Sequence, residues 1–205
     1  MHVHDALERL DLIHAQLTRS EVYRGFRVRA VAAVGLLAIA AAAVQPLIPA
    51  VVDGIGFVWY WVVIAGVAGL LGTSAAVHAY ATREDEFARR RTRRVMSQFM
   101  PCLVLGGVST IALTRMPECI GLLPGLWAAV FGLGLMAASP HLPAGVRSVA
   151  VGYVAVGAIN MLRWTPGDSP DSWAMGFVFG LGHLVSAFVL WKGIEEYAEH
   201  SDERR

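Results

Sequence analysis

The chain has 205 residues, of which 56% are hydrophobic and only 16% charged, with a formal net charge of +1. A soluble domain carries roughly 25% charged residues, so an ordinary soluble globular fold is excluded, and two cysteines do not make a disulfide framework. The charges are also grouped, leaving long stretches with none.

The chain opens with an amphipathic segment, Met1–Leu17. At about 100° per residue, Val3, Ala6, Leu7, Leu10, Ile13, His14 and Leu17 share one stripe, with Asp5, Glu8, Arg9 and Asp11 outside it. Such a helix either lies along a membrane surface or uses Val3, Leu7, Leu10, His14 and Leu17 as a two-heptad seam for a partner helix. Thr18 and Glu21 fit a capping box, in which each side chain satisfies a backbone N–H of the other. The chain therefore divides into residues 1–18 (a cytoplasmic helix and its cap), a membrane domain over 19–193 and a charged cytoplasmic tail over 194–205. The residues before the first apolar block include four acids, unlike a short basic leader, so that block is read as an uncleaved span.

Six apolar blocks follow: Ala30–Val51, Phe57–Tyr80, Val95–Leu113, Cys119–Ala138, Ser148–Trp164 and Trp173–Lys192. Each approaches the roughly 20 residues that carry a helix across about 30 Å of hydrocarbon. Helices satisfy their own backbone in lipid, and nothing shows the alternation of a membrane barrel. The expected fold is all-α and polytopic: six transmembrane helices as three antiparallel hairpins, plus the N-terminal cytoplasmic amphipathic helix. The hairpins turn at Val52–Gly56, Thr114–Glu118 and Thr165–Ser172. Ser169-Pro170 reads as an N-cap followed by proline at the first helical position, which starts the sixth helix near Pro170. Pro101 and Pro124 are expected to kink the third and fourth helices. The fifth block is the shortest and carries Asn160 and Arg163 near one end.

Six spans put fifteen of the seventeen basic residues on one side, leaving only Arg115 and Arg163 on the other. Excess Lys and Arg marks cytoplasmic loops, so both termini are placed inside. Trp59, Trp61, Trp164 and Trp173 fall at the outer ends of spans, as interfacial aromatics do, whereas Trp127 sits about midway along the fourth. Sixteen arginines against one lysine suggest a GC-rich bacterial genome and hence the bacterial inner membrane.

Within the spans, His183 is the one ionisable residue at a midpoint, and such residues are costly to bury and functional by default. Tyr153, Ser186 and Cys102 are its candidate hydrogen-bond partners. A haem shared by His183 and His78 is excluded by depth, since the two histidines lie on the order of 10–15 Å apart along the membrane normal. His2, His4 and His14 point to different helix faces and make no metal site. All sixteen acids lie in loops or tails, which disfavours ion-coupled transport. The sequence lacks HExxH, GxSxG and a P-loop signature, so it is read as non-enzymatic and without a cofactor.

Glycine is plentiful, and Gly176–Gly180 forms a GxxxG. Small residues let helix backbones approach closely, either inside one bundle or between copies. The string Phe-Gly-Leu-Gly occurs twice, at Phe131–Gly134 and Phe179–Gly182. The basic run Arg89, Arg90, Arg91, Arg93 and Arg94 holds its loop in the cytoplasm and suits contact with anionic lipid headgroups. Nucleic-acid binding would need a larger basic surface. Two functional readings remain. The first is an accessory, scaffold or sensory subunit, acting through helix packing with itself or another membrane subunit. The other is a small channel or carrier for a neutral solute, with His183 on the path.

Overall fold

The computed structural model describes residues 28–82, 86–143 and 145–202, with side chains described outside 75–92 and 194–202. Met1–Leu17 and its Thr18–Glu21 cap lie outside the described residues. Those described form helices and no strand. Helix α1 (Val28–Val44) is followed by 3-10 turns at Gln45–Leu47 and Pro49–Val51, then by α2 (Gly54–Thr82) and α3 (Glu86–Leu113). A 3-10 turn at Pro117–Leu122 leads into α4 (Leu123–Ala138), another at Ser139–His141 precedes α5 (Gly145–Arg163), and the last span begins with α6 (Ser172–Met175). A π-turn, Gly176–Leu181, joins it to α7 (Gly182–Asp202).

Six stretches are long and apolar enough to cross a membrane: Val28–Leu47, Gly54–Ser74, Arg93–Leu113, Pro117–His141, Gly145–Arg163 and Ser172–Gly193. The protein is a multi-pass helical membrane protein. The fifth stretch stands as a full helix despite Asn160 and Arg163.

Several ends differ from expectation for local reasons. The first helix stops at Val44 rather than running to Val51, because Pro46 and Pro49 have no N–H to continue it and start 3-10 turns instead. Gly54 then opens α2 at a φ of +55°, a conformation that favours glycine. The last span is capped by Asp171, not Ser169; its carboxylate accepts from the Trp173 N–H at 2.9 Å. Pro124 falls in the first turn of α4, where the missing N–H disrupts nothing. Pro101 does lie inside α3. The arginine run belongs to α3 itself, which begins at Glu86 and makes the expected loop an extension of the third span.

Two apolar cores hold the bundle. At the end bearing the short turns, Ala41, Ala42, Phe57, Val58, Trp61, Ile120, Leu123 and Met175 pack together. At the arginine-bearing end, Val31, Val95, Ala138, Leu142, Val146, Ala187 and Leu190 do so. Helix α1 lies along the whole last span, and α4 is pressed between α3 and α5. The periphery falls to α2 and α3. Only 17% of the α2 window and 6% of the α3 window are buried, against 44% of the fourth span.

Candidate functional site

The polar residues of the spans are few, and the structure gathers them into separate nodes. The central one is built on the last span. Its π-turn ends at Leu181, and His183 follows one residue into α7. The His183 Nδ1 lies 2.7 Å from the Phe179 carbonyl oxygen and 3.0 Å from the Tyr153 hydroxyl. A carbonyl can only accept, so the Phe179 contact assigns the proton to Nδ1. The neutral ring then carries its free lone pair on Nε2.

Tyr153 reaches this nitrogen from the middle of α5 and is itself buried. Around the pair stands a cluster of rings centred on Phe131 of α4. Its centroid is 4.9 Å from Tyr153, 5.4 Å from His183, 5.4 Å from Phe99 and 5.7 Å from Phe179. The Phe99, Tyr153 and Phe179 contacts are close to edge-on, the arrangement that sets a positive ring edge on a negative face.

Glycine makes the cluster possible. A Cβ on Gly132 would fall 2.8 Å from the Val154 nitrogen, and one on Gly182 would overlap the Tyr153 hydroxyl. A Cβ on Gly35 would meet the Gly180 carbonyl at 2.8 Å and the His183 Cβ at 3.2 Å. Both copies of Phe-Gly-Leu-Gly therefore converge on this site. Each supplies a phenylalanine to the cluster and glycines to the close approach. Phe99, Phe131 and Phe179 were not among the residues singled out from sequence, and the repeated string was the one signal that could have marked two of them.

The other candidate partners of His183 are engaged elsewhere. The Ser186 hydroxyl donates to the Gly182 carbonyl at 2.7 Å. Cys102 is a free thiol whose Cβ lies against Gly134. The side chain of His78 lies outside the described residues. Of the basic run, Arg93 and Arg94 are exposed at the head of the third span, and the side chains of Arg89, Arg90 and Arg91 are outside the description.

Two further nodes sit closer to the short-turn end. The fully buried Gln45 donates to the Val51 carbonyl at 2.6 Å and accepts from Trp61 Nε1 at 2.9 Å. Tyr60 donates to the Ala41 carbonyl at 2.7 Å. Trp127, near the middle of the fourth span, donates to the Thr110 hydroxyl at 2.8 Å, which in turn donates to the Gly106 carbonyl. These bonds tie α1 to α2 and α3 to α4.

At the surface of the same end, Asp53, Pro117, Ile120, Gly167, Asp168 and Pro170 line an open cavity of about 260 Å³. The Thr165 hydroxyl and, after it, the Thr165 N–H hold the Asp168 carboxyl below the ordinary carboxylate range. Among the described residues no three His, Cys, Asp or Glu side chains are placed to hold a metal ion. No family model, curated protein or solved structure matches this chain.

Proposed function

We propose that the protein is a non-catalytic subunit of the bacterial inner membrane, with both termini in the cytoplasm, acting through helix contacts with a second copy or another membrane protein. One observation carries this reading. Apart from Gly152 of α5, the glycines of α1, α4, α5 and the last span lie against neighbouring residues, whereas Gly66, Gly69 and Gly72 on α2 and Gly107 on α3 have nothing within 4 Å of a Cβ placed on them. In lipid no hydrophobic effect drives helices together, and small residues that allow close approach take its place. A glycine face left open on the two least packed spans suits a partner helix.

In this reading the spans run as three antiparallel hairpins. The Met1–Leu17 amphipathic helix and the arginine run share the cytoplasmic face, where the run meets anionic headgroups. Transport along His183 has less support, because Phe131, Tyr153 and Phe179 fill the space beside the ring.

The test is purification of the full chain in mild detergent, with its mass measured and co-purifying chains identified. The expected result is a defined oligomer or a stoichiometric membrane partner, lost when Gly69 is replaced by Leu. A monodisperse monomer without a partner, identical in Gly69→Leu, overturns the reading.

A further inference from the structure

The last span carries an irregularity that the subunit reading does not use. Gly176–Leu181 is wound as a π-turn, whose i→i+5 bonds close over one more residue than those of the α-helix on either side. The return to α winding is marked by the Gly182 N–H, which is shared between the Val178 and Phe179 carbonyls. The same Phe179 carbonyl receives the His183 Nδ1–H at 2.7 Å. A side chain thus supports a backbone acceptor at the point where the helical ladder changes step.

The turn also lies on an interface. A Cβ on Gly176 would fall 2.5 Å from the Ala42 Cβ, one on Gly180 would overlap Ile39, and one on Gly35 would meet the Gly180 carbonyl. Helix α1 is therefore fitted to the π form of this segment. Rewinding it as α-helix shifts the register by one residue, about 100° around the axis. Gly176 or Gly180 would then be replaced at the contact by a neighbour such as Phe177 or Leu181, both now exposed. Packed interfaces of this kind have discrete arrangements rather than a continuous range.

We propose that His183 and the π-turn Gly176–Leu181 form a register latch: the ring's Nδ1–H, oriented by the Tyr153 hydroxyl, holds the Phe179 carbonyl in the π arrangement and so sets how the last span packs on α1. Tyr153 is a positioning residue, 3.0 Å from the same nitrogen, and offers the ring an alternative partner when it leaves Phe179. Nε2 has no bonding partner among the described residues, so a ligand or partner group that pulls on it draws the ring off the carbonyl. The latch belongs to the protomer and stands or falls independently of any subunit role.

Two measurements test it on the full chain in detergent. Nitrogen-15 NMR of histidine-labelled protein reads the ring's protonated nitrogen, with the His183 signal identified by its loss in His183→Asn. Hydrogen exchange with mass analysis reads the turn and α1 in wild type, His183→Leu and His183→Asn. The wild-type ring should be protonated at Nδ1. In His183→Leu, exchange should rise about tenfold over both Gly176–His183 and Gly35–Ala42, the equivalent of about 1.4 kcal/mol. His183→Asn, whose amide N–H replaces Nδ1–H, should stay within about threefold of wild type. A wild-type ring protonated only at Nε2 overturns the proposal even where His183→Leu fails to fold. So does unchanged exchange in a folded His183→Leu, a rise confined to the turn with α1 unaffected, or His183→Asn exchanging as fast as His183→Leu.

Discussion

The tight backbone-to-backbone approach of α5 to α4 offers the most quantitative test of how glycine builds the bundle. Replacing Gly157 with Ala adds a Cβ 2.6 Å from the Ala129 nitrogen, 2.6 Å from the Gly125 carbonyl oxygen and 3.0 Å from the Ala129 Cα. All three are backbone atoms, so no side chain can swing away. Ordinary contact begins near 3.4 Å, and going from 2.6 to 3.4 Å requires α4 and α5 to part by about 0.8 Å. Overpacking of this kind costs about 1–3 kcal/mol, offset in part by up to about 1 kcal/mol from alanine's better helix propensity. With the full offset the net loss is up to about 2 kcal/mol, and the gap to a control that gains the same propensity stays about 1–3 kcal/mol. Gly152→Ala, on the same helix as Gly157, is the matched control. It meets nothing within 4 Å, keeps only the propensity gain and should be neutral or slightly stabilising. Unfolding in mixed micelles of rising SDS fraction, followed by circular dichroism, measures both. A second consequence follows from reciprocity: a Cβ on Gly125 would fall 2.8 Å from the Gly157 carbonyl. Once the helices have parted for one alanine, the other costs less, so the double variant should lose less than the sum of the singles. Equal stability of Gly157→Ala and Gly152→Ala, or strict additivity of the pair, would refute the reasoning.

Two other predictions concern the polar nodes and the turns. Gln45→Leu strips Trp61 Nε1 of its acceptor and the Val51 carbonyl of its donor, and a buried group left unpaired costs about 1–3 kcal/mol. The same micelle titration should show that loss, and Gln45→Leu together with Trp61→Phe should recover part of it; no recovery would mean the bond is not what stabilises the site. Asp168 is held below the ordinary carboxylate range by Thr165, so its support of the turn is fully present above a pH of about 3.8, its unperturbed value. The support is lost only as pH falls through the lower folded value. Hydrogen exchange of the Thr165–Asp168 turn in wild type should therefore change below that pH, and Asp168→Asn should abolish the change; a transition persisting in Asp168→Asn would assign it to another group.

What the sequence determined by itself is the membrane architecture. Hydropathy and length act on each segment separately, because a helix in lipid satisfies its backbone without neighbours. Six spans could therefore be counted before any contact was known, and the fifth survived its Asn160 and Arg163. Proline effects were legible only where local chain geometry dominates. Pro101 lies inside a helix as expected, while Pro124 proved to lie in a first turn once the 3-10 segment before it was seen.

The candidate site divides the same way. That His183 needed a partner followed from its depth. Its choice of Tyr153 over Ser186 and Cys102 depended on how α5 crosses the last span, thirty residues away in sequence. The rings of Phe99, Phe131 and Phe179 around that pair were hidden because a phenylalanine in an apolar span carries no signal of what it touches. Glycine behaves likewise: Gly66 and Gly157 look alike in sequence. Only the tertiary structure shows that one stands in the open and the other lies against a helix backbone, because close approach belongs to a pair of helices and never to one.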